Sequence, residues 1–235
     1  IRGIKTYQKD MPKLILVCDN FANLAEIAKQ HKFNKVNGIL FDLGYSSWHL
    51  EESGRGFSFQ KKEPLDMRYN AQNQLTAEKI VNFWSKFEIE RILREYGEEK
   101  FAKDIAARIV EERKSRVIQT TSNLVEVIGK SVPRGYLHGH IHFATKTFQA
   151  LRIAVNDELN NIEKALPQAL QILEPGGRLV AISFHSLEDR IVKNFFKNNN
   201  SKINLLTKKP VIPTLQEIRI NARSRSAKLR AAAKI

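Results

Sequence analysis

Gly38-Ile39-Leu40-Phe41-Asp42-Leu43-Gly44-Tyr45-Ser46-Ser47 opens the stretch that decides the fold; it runs on from Trp48 to Met67 as WHLEESGRGFSFQKKEPLDM. Ile39-Leu40-Phe41 is a short apolar run bounded by turn residues, the pattern of a buried strand in a parallel sheet. The run ends on a carboxylate, Asp42, and no helical periodicity resumes at once. In an open α/β sheet, ligands bind just past the carboxyl ends of the strands. Asp42 therefore stands where a ligand-binding acid belongs. A strand-end Asp taken alone more often only caps the turn after it; the residues that follow this one reverse that preference.

Upstream, Leu14-Ile15-Leu16-Val17 reads as another buried strand. Ala22 to Lys32 reads as a helix with Leu24, Ile27 and Ala28 on one face. With the Gly38–Asp42 run this gives a β-α-β pattern, whose crossover should be right-handed. Ile1 to Lys9 lacks a strand pattern and could close an earlier helix.

Downstream, residues 71–140 show helices and no clear strand. Thr76 caps a helix carrying Ile80, Val81, Phe83 and Trp84. Ile89, Ile92, Leu93 and Tyr96 share a face of the next, and Gly97 stands where a C′ glycine belongs. Phe101, Ile105 and Ile109 mark a third helix, and Thr121 or Ser122 caps a fourth with Leu124, Val125 and Ile128. Four helices between two α/β segments read as an inserted helical subdomain, 71–140, within a discontinuous domain of 1–70 and 141–235. Pro133 to Gly139 is the loop leading out.

Residues 144–173 form one helix, which Pro167 should break or kink. Arg178 to Phe184 is the next buried strand, and Ser186 with Asp189 makes a capping-box-like helix start. Ile203 to Leu206 reads as a strand and Leu215 to Ile220 as a short helix. By propensity the tail from Ala227 to Ile235 is helical.

The chain has 235 residues, enough for one sizeable core or for a domain with an insertion. Lys and Arg outnumber Asp and Glu 39 to 25, a net charge of +14 that favours a polyanionic partner, nucleic acid first. No apolar run approaches the roughly 18 residues that span a bilayer. A single cysteine, Cys18, excludes a disulfide framework and a cysteine-based zinc site, and fits a reducing compartment. His138, His140 and His142 alternate, but without acidic or cysteine partners nearby no metal site is expected. No G-x-G-x-x-G follows any strand, which weakens a nicotinamide-dependent oxidoreductase reading.

Several further blocks fall in order along the chain. They are Asp42-Leu43-Gly44 with Ser46-Ser47, Arg55-Gly56-Phe57-Ser58-Phe59, Pro64-Leu65-Asp66-Met67-Arg68 and Tyr96-Gly97-Glu98-Glu99. Ala144 to Arg152, Val155 to Leu159, Pro175-Gly176-Gly177-Arg178-Leu179, Ser183 to Arg190 and Arg225 to Arg230 complete the set. Together they resemble the bacterial small-subunit rRNA cytosine-N4 methyltransferases, the MraW family. The resemblance implies an α/β fold, the Rossmann-like sheet of a class I methyltransferase with a helical insertion, and a final strand, rather than a helix, over the tail. It also implies that a Gly-rich strand-loop and a ribose-binding acid belong ahead of Ile1, so that the sheet is N-terminally incomplete.

The implied reaction is methyl transfer from S-adenosylmethionine to a cytidine N4 amine in small-subunit rRNA or the assembled small ribosomal subunit, in the cytoplasm. That amine is a weak nucleophile because its lone pair is delocalised into the ring. Asp42, with the carbonyls of Leu43 and Gly44, can accept its hydrogens, and Tyr45 can stack on the base. The resemblance places Phe21, Asp42 and a position occupied in this chain by His49 against the cofactor, with Asp19 a further acceptor. His49 stands where the family carries Gln. His185 follows a strand end facing the same crevice, as base-orienting group or as helix-entry residue bonded to backbone. Ser46, Ser47, Arg55, Phe57, Arg68, His142, Arg225, Lys228 and Arg230 are expected on the RNA side. The Arg55–Arg68 loop interleaves bases and rings suited to phosphate and an unpaired nucleotide, or else to anchoring a lid in the core. A non-catalytic RNA-binding protein on the same scaffold is the competing reading.

Overall fold

The computed structural model describes residues 14–235. Among these, four strands form one mixed sheet: β1 (Val36–Asp42), β2 (Leu173–Ser183), β3 (Ile203–Leu205) and β4 (Lys228–Lys234), in the order β1-β2-β4-β3. β1 is parallel to β2, with Phe41 opposite Ala181 and Asp42 opposite Ile182. β4 is antiparallel to β2 and β3, with Lys228 opposite Ser183. Asp42, Ser183 and Lys228 thus share one end of the sheet.

A 3-10 turn at Phe21–Asn23 leads into α1 (Leu24–Gln30), and α2 (Ser47–Glu51) follows β1. Then come α3 (Ala77–Phe83), α4 (Lys86–Glu95), α5 (Ala102–Ser115), α6 (Thr121–Gly129) and the short α7 (Arg134–Leu137). α8 (Thr145–Asn156) and α9 (Glu158–Ile172) lead back to the sheet, and α10 (Ser186–Asn198) and α11 (Leu215–Ile220) complete the helices.

Two apolar cores result. Ile80, Leu93, Ile105, Ile109, Leu124 and Ile128 centre the helical one, which also takes Phe57, Leu65 and Met67 from the loop after α2 and Phe148 and Leu151 from α8. Phe41, Leu43, Leu166, Ala169, Leu179, Val192 and Phe196 fill the other, between the sheet, α9 and α10. The helical core therefore recruits residues on both sides of 71–140.

Polar groups tie α8 to the loop after α2 and tie the helical core to α10. The Asn156 side chain donates to the carbonyls of Met67 and Arg152 and accepts from the Tyr69 amide at 2.8 Å. Glu98, beyond α4, accepts from Ser186 and Arg190 on α10.

Several sequence expectations are corrected. Leu14 to Val17 is not a strand; Leu14 is 52% exposed and Leu16 59%. A strand exists only where a neighbour completes its ladder, and among the described residues none lies beside this run. The β-α-β unit read from it is therefore not formed, and Ile1 to Lys9 lies outside the described residues. The caps fall one residue earlier than read: Thr120 accepts from Asn123 for α6, and His185 forms a capping box with Glu188 for α10.

Residues 144–173 are two helices, parted at Asp157 in the left-handed region (φ 51). α9 continues through Pro167. Proline removes the amide that would bond the Glu163 carbonyl, but both residues lie on the exposed face, where water can replace it. At the end of α4 it is Glu98 that is left-handed (φ 47). Gly97 is required for another reason: a Cβ there would lie 2.7 Å from the carbonyls of Leu93 and Lys146. The tail forms β4, as the resemblance implied, because pairing on both edges overrides alanine's helical propensity.

Candidate active site

β1 delivers Asp42 to the sheet end, and the Leu43 amide still bonds the Ile182 carbonyl at 3.0 Å, so the chain leaves the sheet just beyond the acid. Gly44 then turns at φ +91, a conformation that favours glycine, and a Cβ there would stand 3.6 Å from the Phe184 ring. This turn brings the 43–46 segment against the β2–α10 junction. Asp42 is exposed, and its side chain makes no hydrogen bond within the described residues.

Tyr45 is 39% exposed, with the Arg152 guanidinium 4.3 Å from its ring centroid. Its ring is also stacked with Phe57 at 6.2 Å, which in turn stacks on Tyr69 at 5.6 Å. Arg152 is buried on α8 and donates to both oxygens of Glu158 at 2.9 and 3.0 Å. The Tyr69 hydroxyl donates to the same carboxylate. Burial disfavours the guanidinium's charge, but Glu158 more than offsets it, so Arg152 stays protonated. Burial, with Glu158 alongside, pushes the Tyr69 phenol well above its ordinary value. Tyr45 is therefore held by a fixed cation, a favourable cation–π arrangement.

Glu188 lies behind this pair. Its Oε2 accepts from the amides of Phe184 and His185. Burial would raise its pKa, but His185, these amides and Arg152 together hold it below the ordinary carboxylate range. His185 Nδ1 accepts from the Glu188 amide, which leaves the proton of the neutral ring on Nε2. That Nε2 is buried and lies 3.3 Å from Glu188 Oε1, in ion-pair range but misaligned, and has no hydrogen-bond partner. The helix-entry reading of His185 thus holds for Nδ1, while Nε2 is buried against the Glu188 carboxylate.

Ligand atoms of Glu158, His185 and Glu188 all lie within 4.8 Å of one another, close enough to hold a metal ion. Here Arg152 already occupies the cationic position, with both Glu158 oxygens on its fork. The donor set is that of a hydrogen-bonded ion pair rather than of a metal.

The remaining predicted residues fall into three groups. Phe21 is 38% exposed and meets Phe41 edge-on at 6.0 Å, above a shallow apolar recess that includes Leu43 and Leu166. Asp19 accepts from the Asn20 amide and the Asn23 side chain, capping the turn beside it. His49 uses Nδ1 to cap α2 through Ser46 and packs against Phe57 and Tyr69. Ser47 accepts from Arg223, which also pairs with Glu51.

The second group is committed to structure. Phe57 is 7% exposed, so it anchors the loop in the core and has no face free for a nucleotide. Arg55 donates to the carbonyls of Arg68 and Tyr69, both at 3.1 Å. Arg68 pairs with Asp66 and donates to the carbonyls of Ala71 and Asn73. Arg230, read as an RNA contact, is 8% exposed and donates to both oxygens of Asp189, which removes it from reach of a phosphate. The third group faces outward: His142 stacks on Phe59 at 4.4 Å, and Arg225 and Lys228 stand beside the β2–α10 junction.

Sequence reasoning missed Arg152, Glu158, Tyr69 and Glu188. The available signal was Arg152 itself, a charge inside the apolar stripe of Phe148, Leu151 and Val155; buried arginines are rare unless paired.

A mixed α/β sheet with an acid and a cation-backed aromatic just past the end of a parallel strand is consistent with a class I methyltransferase, the class to which the family match assigns the chain. The chain belongs to the MraW methylase family, whose model matches residues 2–235. It is 50% identical over 217 residues to "Ribosomal RNA small subunit methyltransferase H" of Dictyoglomus thermophilum, covering 92% of this chain and 72% of that protein. Relatives of the same name from Petrotoga mobilis (51% identical; 92% of this chain, 75% of that protein) and Thermosipho melanesiensis (49%; 97% and 77%) match equally well. The chain is thus a methyltransferase. No helix among the described residues is long and apolar enough to cross a membrane.

Proposed function

We propose that this protein methylates the N4 amine of a cytidine in small-subunit rRNA, free or within the assembled subunit, in the cytoplasm. The observation that carries this reading is Asp42: an exposed, unpartnered carboxylate at the end of β1, one turn from the Arg152-backed ring of Tyr45, in a chain whose relatives bear an rRNA methyltransferase name. S-adenosylmethionine supplies the electrophilic methyl group. Phe21 and Asp42 suit such a cofactor: the ring offers a partly exposed face, and the acid, exposed at the end of β1, offers acceptors without a hydrogen-bond partner among the described residues. His49 keeps only Nε2 for a contact, because Nδ1 caps α2.

On the substrate side, Asp42 accepts a hydrogen from the amine, which turns the nitrogen lone pair out of conjugation with the ring. Tyr45 orients the base, and Arg152 with Glu158 fixes Tyr45. His185, with Glu188, shapes the β2–α10 junction behind Tyr45. The rate gain comes from positioning and electrostatics rather than from covalent catalysis. The target base must be unpaired or flipped, at a cost of a few kcal/mol from a duplex. The helical core, with the loop after α2 and α8, forms the insertion subdomain, wider than 71–140; the sheet core forms the methyltransferase domain.

The test is methyl transfer from radiolabelled S-adenosylmethionine to small-subunit rRNA and small subunits, with the modified base located by mass spectrometry. N4-methylcytidine is expected. RNA bound without methyl transfer would replace this reading with that of a binding protein on the same scaffold.

A further inference from the structure

The chain between β3 and β4 does not take a short turn. Residues 207–227 arch over the end of the sheet, fixed by the Val211–Leu229 bridge at one foot and by Arg223 on Ser47 and Glu51 at its crest. Beneath the arch is a pocket of about 340 Å³, the size class of small-ligand sites. Ile212, Pro213 and Ile218 form one wall and Phe184 and His185 another.

Charge at the rim is one-sided. Arg225 is exposed with no ion-pair partner among the described residues. Lys228 lies 3.7 Å from Asp189, whose two oxygens already serve Arg230. One carboxylate thus faces two cations, and Arg225 adds a third.

From these features we propose that the pocket binds a nucleotide of the RNA strand adjacent to the cytidine being methylated. The inference rests on the RNA-methylating reading above. Apolar walls suit a base face, and Arg225 with Lys228 suits the phosphate. Position agrees: Lys228 is two strands from Asp42 at the same sheet end, about 10 Å at the usual strand spacing. The site would hold the strand on the side of the target away from Phe21 and confer a preference for a base, rather than a bare sugar-phosphate, at that flank.

Fluorescence anisotropy with a single-stranded oligocytidylate, and with an abasic strand of equal length, decides it. Ile212→Glu and Arg225→Ala are both at exposed positions, and Ile220→Glu, 82% exposed and outside the pocket, controls for added charge. Ile212→Glu should weaken oligocytidylate binding about tenfold, the order of one lost stack, and abasic-strand binding little. Arg225→Ala should weaken both. The pocket is overturned if Ile212→Glu binds like wild type or if Ile220→Glu loses as much. Assaying the same proteins for methyl transfer separates the two readings. Methylation without the Ile212 effect sinks the pocket alone; the Ile212 effect without methylation sinks the proposed activity alone.

Discussion

Asp42 is the residue whose role is least confused with folding, because its side chain is exposed and makes no hydrogen bond or ion pair among the described residues. Asp42→Ala should reduce methyl transfer at least about a hundredfold, the scale of one lost electrostatic contact to the reacting group. Thermal stability should stay within about 0.5 kcal/mol of wild type, as for other surface changes. Single-turnover transfer and melting on one preparation check both. His49 gives a second prediction. Burial, then Arg55 and Arg152, depress its pKa below 6.5. The unfolded chain therefore takes up a proton that the folded protein resists, so stability is full above about pH 6.5 and falls as pH drops below it. His49→Gln should flatten the melting temperature's dependence on pH in that window, though not wholly, since burial depresses His142 with the same sign. An unchanged slope would place His49 in a less desolvated setting. At this scale the sequence was a partial guide: Asp42 and Tyr45 were legible because a strand end dictates where they point. Arg55, Arg68 and Arg230 were not, because a guanidinium serves carbonyls and carboxylates within the fold as readily as a phosphate outside it.

Among the elements, α10 and β4 are joined by one buried ion pair. Burial would raise the Asp189 pKa, but Arg230 holds it below 3.8. The pair's contribution is complete above that value and is lost as pH falls through the lower folded-state value. Asp189→Asn, which leaves the Arg230 guanidinium buried and uncompensated, should destabilise by about 3–5 kcal/mol. The double replacement Asp189→Leu with Arg230→Met should recover most of that loss, since apolar substitutes for a buried pair are often neutral. Chemical denaturation of the three proteins measures it; a double variant no better than Asp189→Asn would show that the pair's geometry, rather than its charge balance, secures β4. Most elements were readable from periodicity, down to the bounds of α11. The failures have separate causes. Leu14 to Val17 is apolar enough for a strand but has no ladder to join, the break at Asp157 needs a left-handed residue that no local signal marks, and β4 defies its own propensity.

Across the whole molecule the net charge of +14 sets an electrostatic prediction. RNA affinity should fall steeply with salt, by about 0.7 log units per log unit of salt for each single-strand phosphate neutralised. Arg225→Gln should lower that slope by about one such unit. Arg68→Gln should leave the slope alone and act on stability, because its donors are taken up by Asp66 and two carbonyls. Affinity measured from low to high salt distinguishes the two; equal slopes for all three proteins would remove Arg225 from the contact surface. Composition pointed toward a polyanion, and the blocks announced the family. Neither revealed that the site sits where two cores meet, because Arg152, Glu158 and Tyr69 converge only once α8 and α9 are folded back at Asp157.

The placement of β4 inside the sheet also has a consequence in time. β1, β2 and β3 are all synthesised before it, yet β2 and β3 touch each other only through it. At about 5–20 residues per second, a ribosome leaves the emerging β2 with one side unclaimed for some seconds. An open strand edge in a nascent chain invites pairing with neighbours on the same message. Slowing elongation between the β2 and β4 codons should therefore lower the soluble yield, whereas the same pause within the helical segment should be tolerated.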